Sequence, residues 1–174
     1  MKSESQLIRR ALFDLGGLPL KPAFRWLDMP WPHCWVALEV NRATVGVTDP
    51  LLPQQPGDFD ILIGRLLSNW APDFRWIAAI EAKRILATAD DELVPDRFGT
   101  TQARGLRHFG FDRVLLLHIV DRERRADGYL GPFPQGPRDG FFRRLHSLVQ
   151  PHLDGSFGWL PIVWTQHESR PLLD

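Results

Sequence analysis

Two apolar runs of this 174-residue chain begin or end in charge. Asp58 and Asp60 open Ile61–Leu62–Ile63, and Glu81 and Lys83 close the run from Trp76 to Ile80. On a strand, residues two apart share a face and lie ~6–7 Å from each other. Glu81 and Lys83 therefore form one cluster if their segment is extended, and pairing it with the preceding segment brings Asp60 beside Glu81. Two carboxylates at that range repel unless a cation lies between them, and hard oxygen ligands with room for water suit Mg²⁺ or Mn²⁺. An adjacent ammonium makes sense where an anion such as phosphate is also bound. By the same logic Glu81→Ala relieves repulsion, so the thermal midpoint of the metal-free protein is expected to hold or rise. Asp58 follows Pro56–Gly57 and is expected to shape a turn.

The elements that must position these groups follow from periodicity and punctuation. Leu7, Ala11 and Leu15, with Ile8 and Leu12 beside them, predict an amphipathic helix over Ser3–Leu15, stopped by Gly16–Gly17. The segment from Leu18 to Cys34, rich in proline and tryptophan, reads as an irregular packed loop. Trp35 to Val47 predicts a strand or a hairpin turning near Asn41 and Arg42, and Asp58–Gly64 and Arg75–Lys83 are the next two strands. The acidic stretch after Lys83 reads as a loop or lid, and Asp96 as the N-cap of a helix running to about His108 and stopped by Gly110. Phe111–Val120 is an almost continuously apolar buried strand, Arg138–His152 a helix, and Gly158 to Gln166 a last strand whose Pro161 favours a sheet edge.

One segment has two readings. By propensity alone, Trp76 to Ala87 would be a helix. Its apolar residues show no clean helical stripe, whereas alternation sends Ile77, Ala79, Glu81 and Lys83 to one face and Trp76, Ala78, Ile80 and Ala82 to the other, so the strand is preferred. The order of elements predicts an α/β (α+β) fold with a mixed central sheet flanked by helices. A single domain is expected, with a core over about 3–120 and an extension over about 121–174.

A carboxylate at a strand start (Asp60 in "GDFDILI"), Glu-x-Lys closing a strand (Glu81 and Lys83 in "IEAK"), then a helix with a glutamine (Gln102 in "TTQARGL") and another strand, resembles the PD-(D/E)XK nuclease superfamily, the restriction-endonuclease-like fold. The resemblance covers roughly Trp35 to Val120, with Ser3–Leu15 as the preceding helix. It implies an αβββαβ core and a metal-dependent nuclease acting on nucleic acid, DNA in preference to RNA. Asp60, Glu81 and the backbone carbonyl of Ala82 would hold Mg²⁺ or Mn²⁺, Lys83 would orient or deprotonate the attacking water, and Gln102 would reach the water or the phosphate. Glu4 stands where an early glutamate adds a ligand in some branches. Arg104, Arg107 and Arg113, around the Gln102 helix, are the candidate phosphate contacts. Glu81 follows Asp60 by 21 positions, more than a tight hairpin needs, so Arg65–Arg75 is expected to form an insertion.

Composition narrows the rest. Lysine plus arginine and aspartate plus glutamate both total 21, so no overall field draws the chain to polyanions, and nucleic-acid affinity must come from a local patch. A second copy or a companion protein is therefore expected to complete the binding surface, with Leu18–Trp35 as its contact. No apolar run reaches the ~20 residues of a membrane span, and the N-terminus has no signal-peptide pattern, so a cytoplasmic location is expected. The one cysteine, Cys34, forms no intrachain disulfide and reads as a buried thiol; no CxxC or HExxH spacing supports zinc. Trp26, Trp31, Trp35, Trp70 and Trp76 have rings that stack nucleobases, but tryptophan near proline more often packs. Two other readings stand beside the nuclease. One is a non-catalytic nucleic-acid- or protein-binding module on the same fold; the other is a helix-rich interaction protein in which the charges are merely solvated.

Overall fold

The computed structural model describes residues 4–9, 21–29, 33–40, 59–86, 98–121, 140–164 and 169–171. Alternation settles the disputed segment: Pro72–Leu86 is a strand, with Ala78, Ile80 and Ala82 packed into one hydrophobic cluster and Ala79 and Ile85 into another. It lies in a six-stranded sheet whose order follows the chain: β1 (Cys34–Val40), β2 (Phe59–Leu66), β3 (Pro72–Leu86), β4 (Arg113–Asp121), β5 (Gly158–Trp164) and the three-residue β6 (Ser169–Pro171). β1, β2 and β3 form an antiparallel meander, β4 and β5 continue parallel to β3, and β6 returns antiparallel. The four described α-helices are α1 (Glu4–Arg9), α2 (Lys21–Trp26), α3 (Thr100–His108) and α4 (Gly140–Val149).

Strands buried on both faces need helices on both. Ile8 of α1 and Ala23, Phe24 and Leu27 at α2 cover one face, against Ile61, Ile80, Leu115 and Leu117. Ala103 and Leu106 of α3 and Leu145 and Val149 of α4 cover the other, against Leu62, Ala79, Val114 and Leu116. The result is the expected mixed sheet flanked by helices, with α1 and α2 before the three-stranded meander, α3 between β3 and β4, and α4 between β4 and β5.

Three local expectations need correction. α2 lies inside the segment read as irregular: Pro22 falls in the first turn, where its missing N–H costs nothing. Secondly, Arg65–Arg75 is no insertion. The ladder runs Gly64↔Ile77 and then Arg65↔Asp73, so Phe74–Trp76 are taken up as a bulge on β3, and a turn over Leu67–Ala71 joins the lengthened strands. Thirdly, β5 is covered by β6 over Ile162–Trp164; Pro161, opposite His118 of β4, stands just before that pairing begins, where no N–H is required on the β6 side. The helix after the acidic stretch starts later than expected, with Gly99 at its N-cap, and ends at His108, two residues before Gly110, whose φ of +113° suits glycine. Asp96, Asp58 and Asn41–Arg42 lie outside the described residues.

Candidate functional site

The carboxylates meet where the β1–β2–β3 meander loosens. The pairs Leu38↔Ile61 and Val40↔Phe59 on either side place Glu39 of β1 opposite Asp60 of β2, and Asp60 lies one step beyond the last β2–β3 pair, Ile61↔Ile80, which puts it at the level of Glu81. Glu39 has φ +51°, and the pleat alternation breaks there: Leu38 and Ile61 pack toward the α1–α2 side, Val40 and Phe59 toward the α3–α4 side. The Ala82 N–H, which a continued ladder would direct to a β2 carbonyl, donates instead to Asp60 Oδ2 at 2.8 Å. A side-chain carboxylate thus takes a backbone acceptor's place, and Asp60 is held against the Glu81–Ala82–Lys83 run.

Glu81 and Lys83 share the β3 face that packs toward α3. Lys83 Nζ lies 2.6 Å from Glu81 Oε1, with 18% of the lysine side chain and 4% of the glutamate side chain exposed. The cation expected near the carboxylates is therefore supplied, in the chain alone, by Lys83 itself. This reverses the expectation for Glu81→Ala. Removing Glu81 deprives a largely buried ammonium of its carboxylate, which costs more than relieved repulsion returns.

The lysine stem is fixed by two residues that sequence reasoning passed over. Gly99 at the α3 N-cap has φ +74°, and a Cβ there would fall 2.8 Å from Lys83 Cγ, so only glycine lets α3 approach so closely. Its neighbour Phe98 is anchored by His118, the β4 residue paired with Lys83. His118 Nε2 lies 2.7 Å from the Phe98 carbonyl oxygen, and the Trp159 Nε1–H donates to His118 Nδ1 at 3.0 Å. An indole N–H only donates and a carbonyl only accepts, so the ring is neutral with its proton on Nε2. Full burial pushes its pKa down to about 4, helped by the Lys83 charge and opposed by the Phe98 hydrogen bond. A histidine inside the apolar run "VLLLHIV" was the visible signal for this anchor.

The remaining candidates scatter. Gln102 is half-buried in the first turn of α3, three residues beyond the Gly99 that touches Lys83, on the flank of the buried stripe of Thr100, Ala103 and Leu106. Arg104 ties α3 to the segment after α4, through Asp154 Oδ2 and the His152 carbonyl, both at 2.9 Å. Arg107 Nη1 donates to the Phe111 carbonyl at 2.8 Å and closes the α3–β4 turn. Arg113, opposite Ala78 near the middle of β3, donates to the Leu27 carbonyl and stacks 5.4 Å from the Trp76 ring centroid. Glu4 is in α1, whose Arg9 pairs with Glu39 at 2.7 Å, on the first strand of the same row. Burial pushes the Cys34 thiol up to about 11, which makes it a packing group.

Among the described residues no cluster of three or more His, Cys, Asp or Glu is placed to hold a metal ion. The donor set that the sequence points to is smaller: two carboxylates and one backbone carbonyl. Each carboxylate has two oxygens with about four lone-pair sites, so Asp60 and Glu81 keep acceptor capacity beyond the hydrogen bond and ion pair described. Hard oxygen donors of this kind fit a divalent cation that retains several waters.

No family model and no curated protein matches the chain. Among solved structures it is similar to SfsA of Pyrococcus furiosus in complex with Ca²⁺, with 11% identity and a TM-score of 0.39 over 87% of this chain and 58% of that one. The likeness is weak and concerns the layout of the fold. The chain spans little more than half of that protein's length. Among the described residues no helix is long and apolar enough to cross a membrane.

Proposed function

We propose that the chain is a metal-dependent phosphodiesterase of the PD-(D/E)XK type that hydrolyses nucleic acid, DNA in preference to RNA. One observation carries the reading: Asp60 reaches across the open end of the β2–β3 ladder to the Ala82 N–H, so the aspartate is set against the Glu-x-Lys run it would have to serve. Asp60, Glu81 and the Ala82 carbonyl would hold Mg²⁺ or Mn²⁺, which when bound supplies charge neutralisation at the scissile phosphate.

Lys83 has the other part. Its ammonium, clamped on Glu81 and wedged by Gly99, has little freedom to move, which suits a group that must orient a water and stabilise negative charge as it develops on the phosphoryl oxygens. In the step itself the water gives up a proton to solvent as its oxygen bonds to phosphorus, the ester P–O bond breaks, and the leaving oxygen takes up a proton from solvent. Gln102, three residues beyond Gly99 on α3, would add a hydrogen bond to the water or phosphate.

The test is cleavage of end-labelled single-stranded and duplex DNA with Mg²⁺ or Mn²⁺, and with EDTA. Cleavage should need the metal and should fall at least a hundredfold in Lys83→Ala and in Glu81→Gln. Mg²⁺ should also raise the thermal midpoint of the wild type but not of Glu81→Gln. Equal cleavage by the variants, or equal stabilisation of both proteins, refutes the proposal. One observation favours a second reading, a non-catalytic nucleic-acid- or protein-binding module: Glu81 and Lys83 form an ion pair with each other at 2.6 Å. Nucleic-acid binding with no cleavage under any of these metals would decide for it.

A further inference from the structure

Glu39 breaks a rule that the rest of β1 obeys. Strand residues have φ well below zero, and glycine alone takes the left-handed region at little cost, yet Glu39 lies next to the end of β1 with φ +51°. Its side chain offsets little of that strain. The carboxylate accepts from Arg9 Nη2 at 2.7 Å, but 54% of the arginine and 46% of the glutamate side chain are exposed, and ion pairs so open to water contribute little to stability. Strain that neither burial nor pairing offsets locally points to a role in the site beside it.

The pleat shows what that role is. Val36 and Leu38 pack toward the α1–α2 side and Trp35 and Ala37 toward the α3–α4 side, as period two requires, but Val40 falls on the α3–α4 side, where alternation from Leu38 would not put it. β2 does the same. Ile63 and Ile61 lie on the α1–α2 side and Phe59 on the other. Opposed residues of an antiparallel ladder share a face, so the pairs Leu38↔Ile61 and Val40↔Phe59 both survive only if the two strands turn over together at the level between them, where Glu39 stands opposite Asp60. The left-handed dihedral of this reversal is on Glu39 and not on Asp60. At a reversal a side chain is aimed at neither face, and the Asp60 carboxylate accordingly lies along the sheet, 2.8 Å from the Ala82 nitrogen of β3.

We propose that Glu39 is a positioning residue for Asp60: its left-handed backbone turns over the β1–β2 pleat and so aims the Asp60 carboxylate along the sheet at β3, beside Glu81. The carboxylate of Glu39 itself is paired with Arg9 of α1, so Glu39 shapes the Asp60–Glu81 pair without adding an uncompensated third charge to it. The placement of Asp60 stands apart from catalysis; its consequence for metal binding rests on the nuclease reading.

The experiment compares Glu39→Thr and Glu39→Gly with the wild type by amide hydrogen exchange in EDTA, followed by NMR at Ala82 and, as a reference deeper in β3, at Ala79. Threonine is β-branched, resists positive φ and suits an exposed strand position, so it should straighten the pleat and draw Asp60 away from the Ala82 N–H, whereas glycine keeps the bend. Glu39→Thr should speed Ala82 exchange at least about tenfold relative to Ala79, the loss expected for a hydrogen bond to a charged acceptor. Glu39→Gly should leave that ratio unchanged and hold or raise the thermal midpoint. An unchanged ratio in Glu39→Thr overturns the proposal. So does a raised ratio in Glu39→Gly, which would place the effect in the side chain and not in the backbone; this arm decides even where the threonine variant fails to fold. In cleavage assays Glu39→Thr should need about tenfold more Mg²⁺ for its half-maximal rate, and Glu39→Gly no more than the wild type. A wild type that cleaves nothing refutes the nuclease reading alone, and the exchange ratios still decide the role of Glu39.

Discussion

Replacing Glu81 by glutamine tests whether the Glu81–Lys83 pair holds this end of the sheet together. The change keeps the side chain's volume and removes its charge, so the altered quantity is the environment of the Lys83 ammonium, 18% exposed and 2.6 Å from its carboxylate. Breaking a buried pair by removing one partner costs ~3–5 kcal/mol. An independent ceiling comes from the lysine, which can shed its proton instead of staying charged and uncompensated. At pH 7 that costs about 1.36 × (10.4 − 7), or about 4.6 kcal/mol, and at pH 9 about 2 kcal/mol. Glu81→Gln should therefore lose about 3–4 kcal/mol at pH 7 and no more than about 2 kcal/mol at pH 9, read as shifts in urea midpoint at constant m-value. Adding Lys83→Met should recover most of the loss, since the uncompensated charge is gone. A variant as stable as the wild type at pH 7, or more stable, would mean that repulsion between Asp60 and Glu81 outweighs the pair. A loss that does not shrink at pH 9 would place the cost in packing and not in charge.

Two further outcomes test the anchor behind Lys83. His118 has its folded pKa near 4 against an ordinary 6.5, so below pH 6.5 the unfolded chain binds a proton that the folded chain refuses. Stability from this residue is complete above 6.5 and declines by about 3 kcal/mol as the pH falls to 4; His118→Gln, which can still donate and accept, should flatten that decline in urea titrations at each pH, and an unchanged slope would exclude His118 as its source. The lowered carboxyl of Asp154, near 2 through hydrogen bonds from Ser156 and then Arg104, acts below this window. Gly99→Ala should cost about 1–2 kcal/mol for the left-handed backbone alone and should displace Lys83, whose Cγ stands 2.8 Å from the new methyl position. Nitrogen NMR of the lysine side chains, only three in the chain, would detect the displacement, and an unmoved Lys83 signal would refute the wedge.

What the sequence disclosed and what it withheld divide along a physical line. Period-two alternation is local, so β3 and the face shared by Glu81 and Lys83 could be read from Trp76–Lys83 even though helix propensity argued otherwise. The level of Asp60 against Glu81 followed because a hairpin register links residues close in the chain. The three-residue bulge at Phe74–Trp76 was invisible, since it depends on how strand twist is absorbed across the ladder and not on residue type; hence the mistaken insertion. The partners of the arginines were equally hidden, because a guanidinium reaches several ångströms and chooses among carbonyls and carboxylates brought near only by the fold: Arg104 to Asp154 is a separation of fifty residues, and Arg113 to Leu27 one of eighty-six. Gly99 shows the middle case. Its residue type announced a helix boundary or a close approach, but that the approach is to the lysine of the Glu-x-Lys run follows only when α3 is laid against β3. The same packing explains why three ordinary residues, Gly99, Phe98 and His118, must be correct for Lys83 to stand where it does, and why substitutions there should act on the site without touching a substrate.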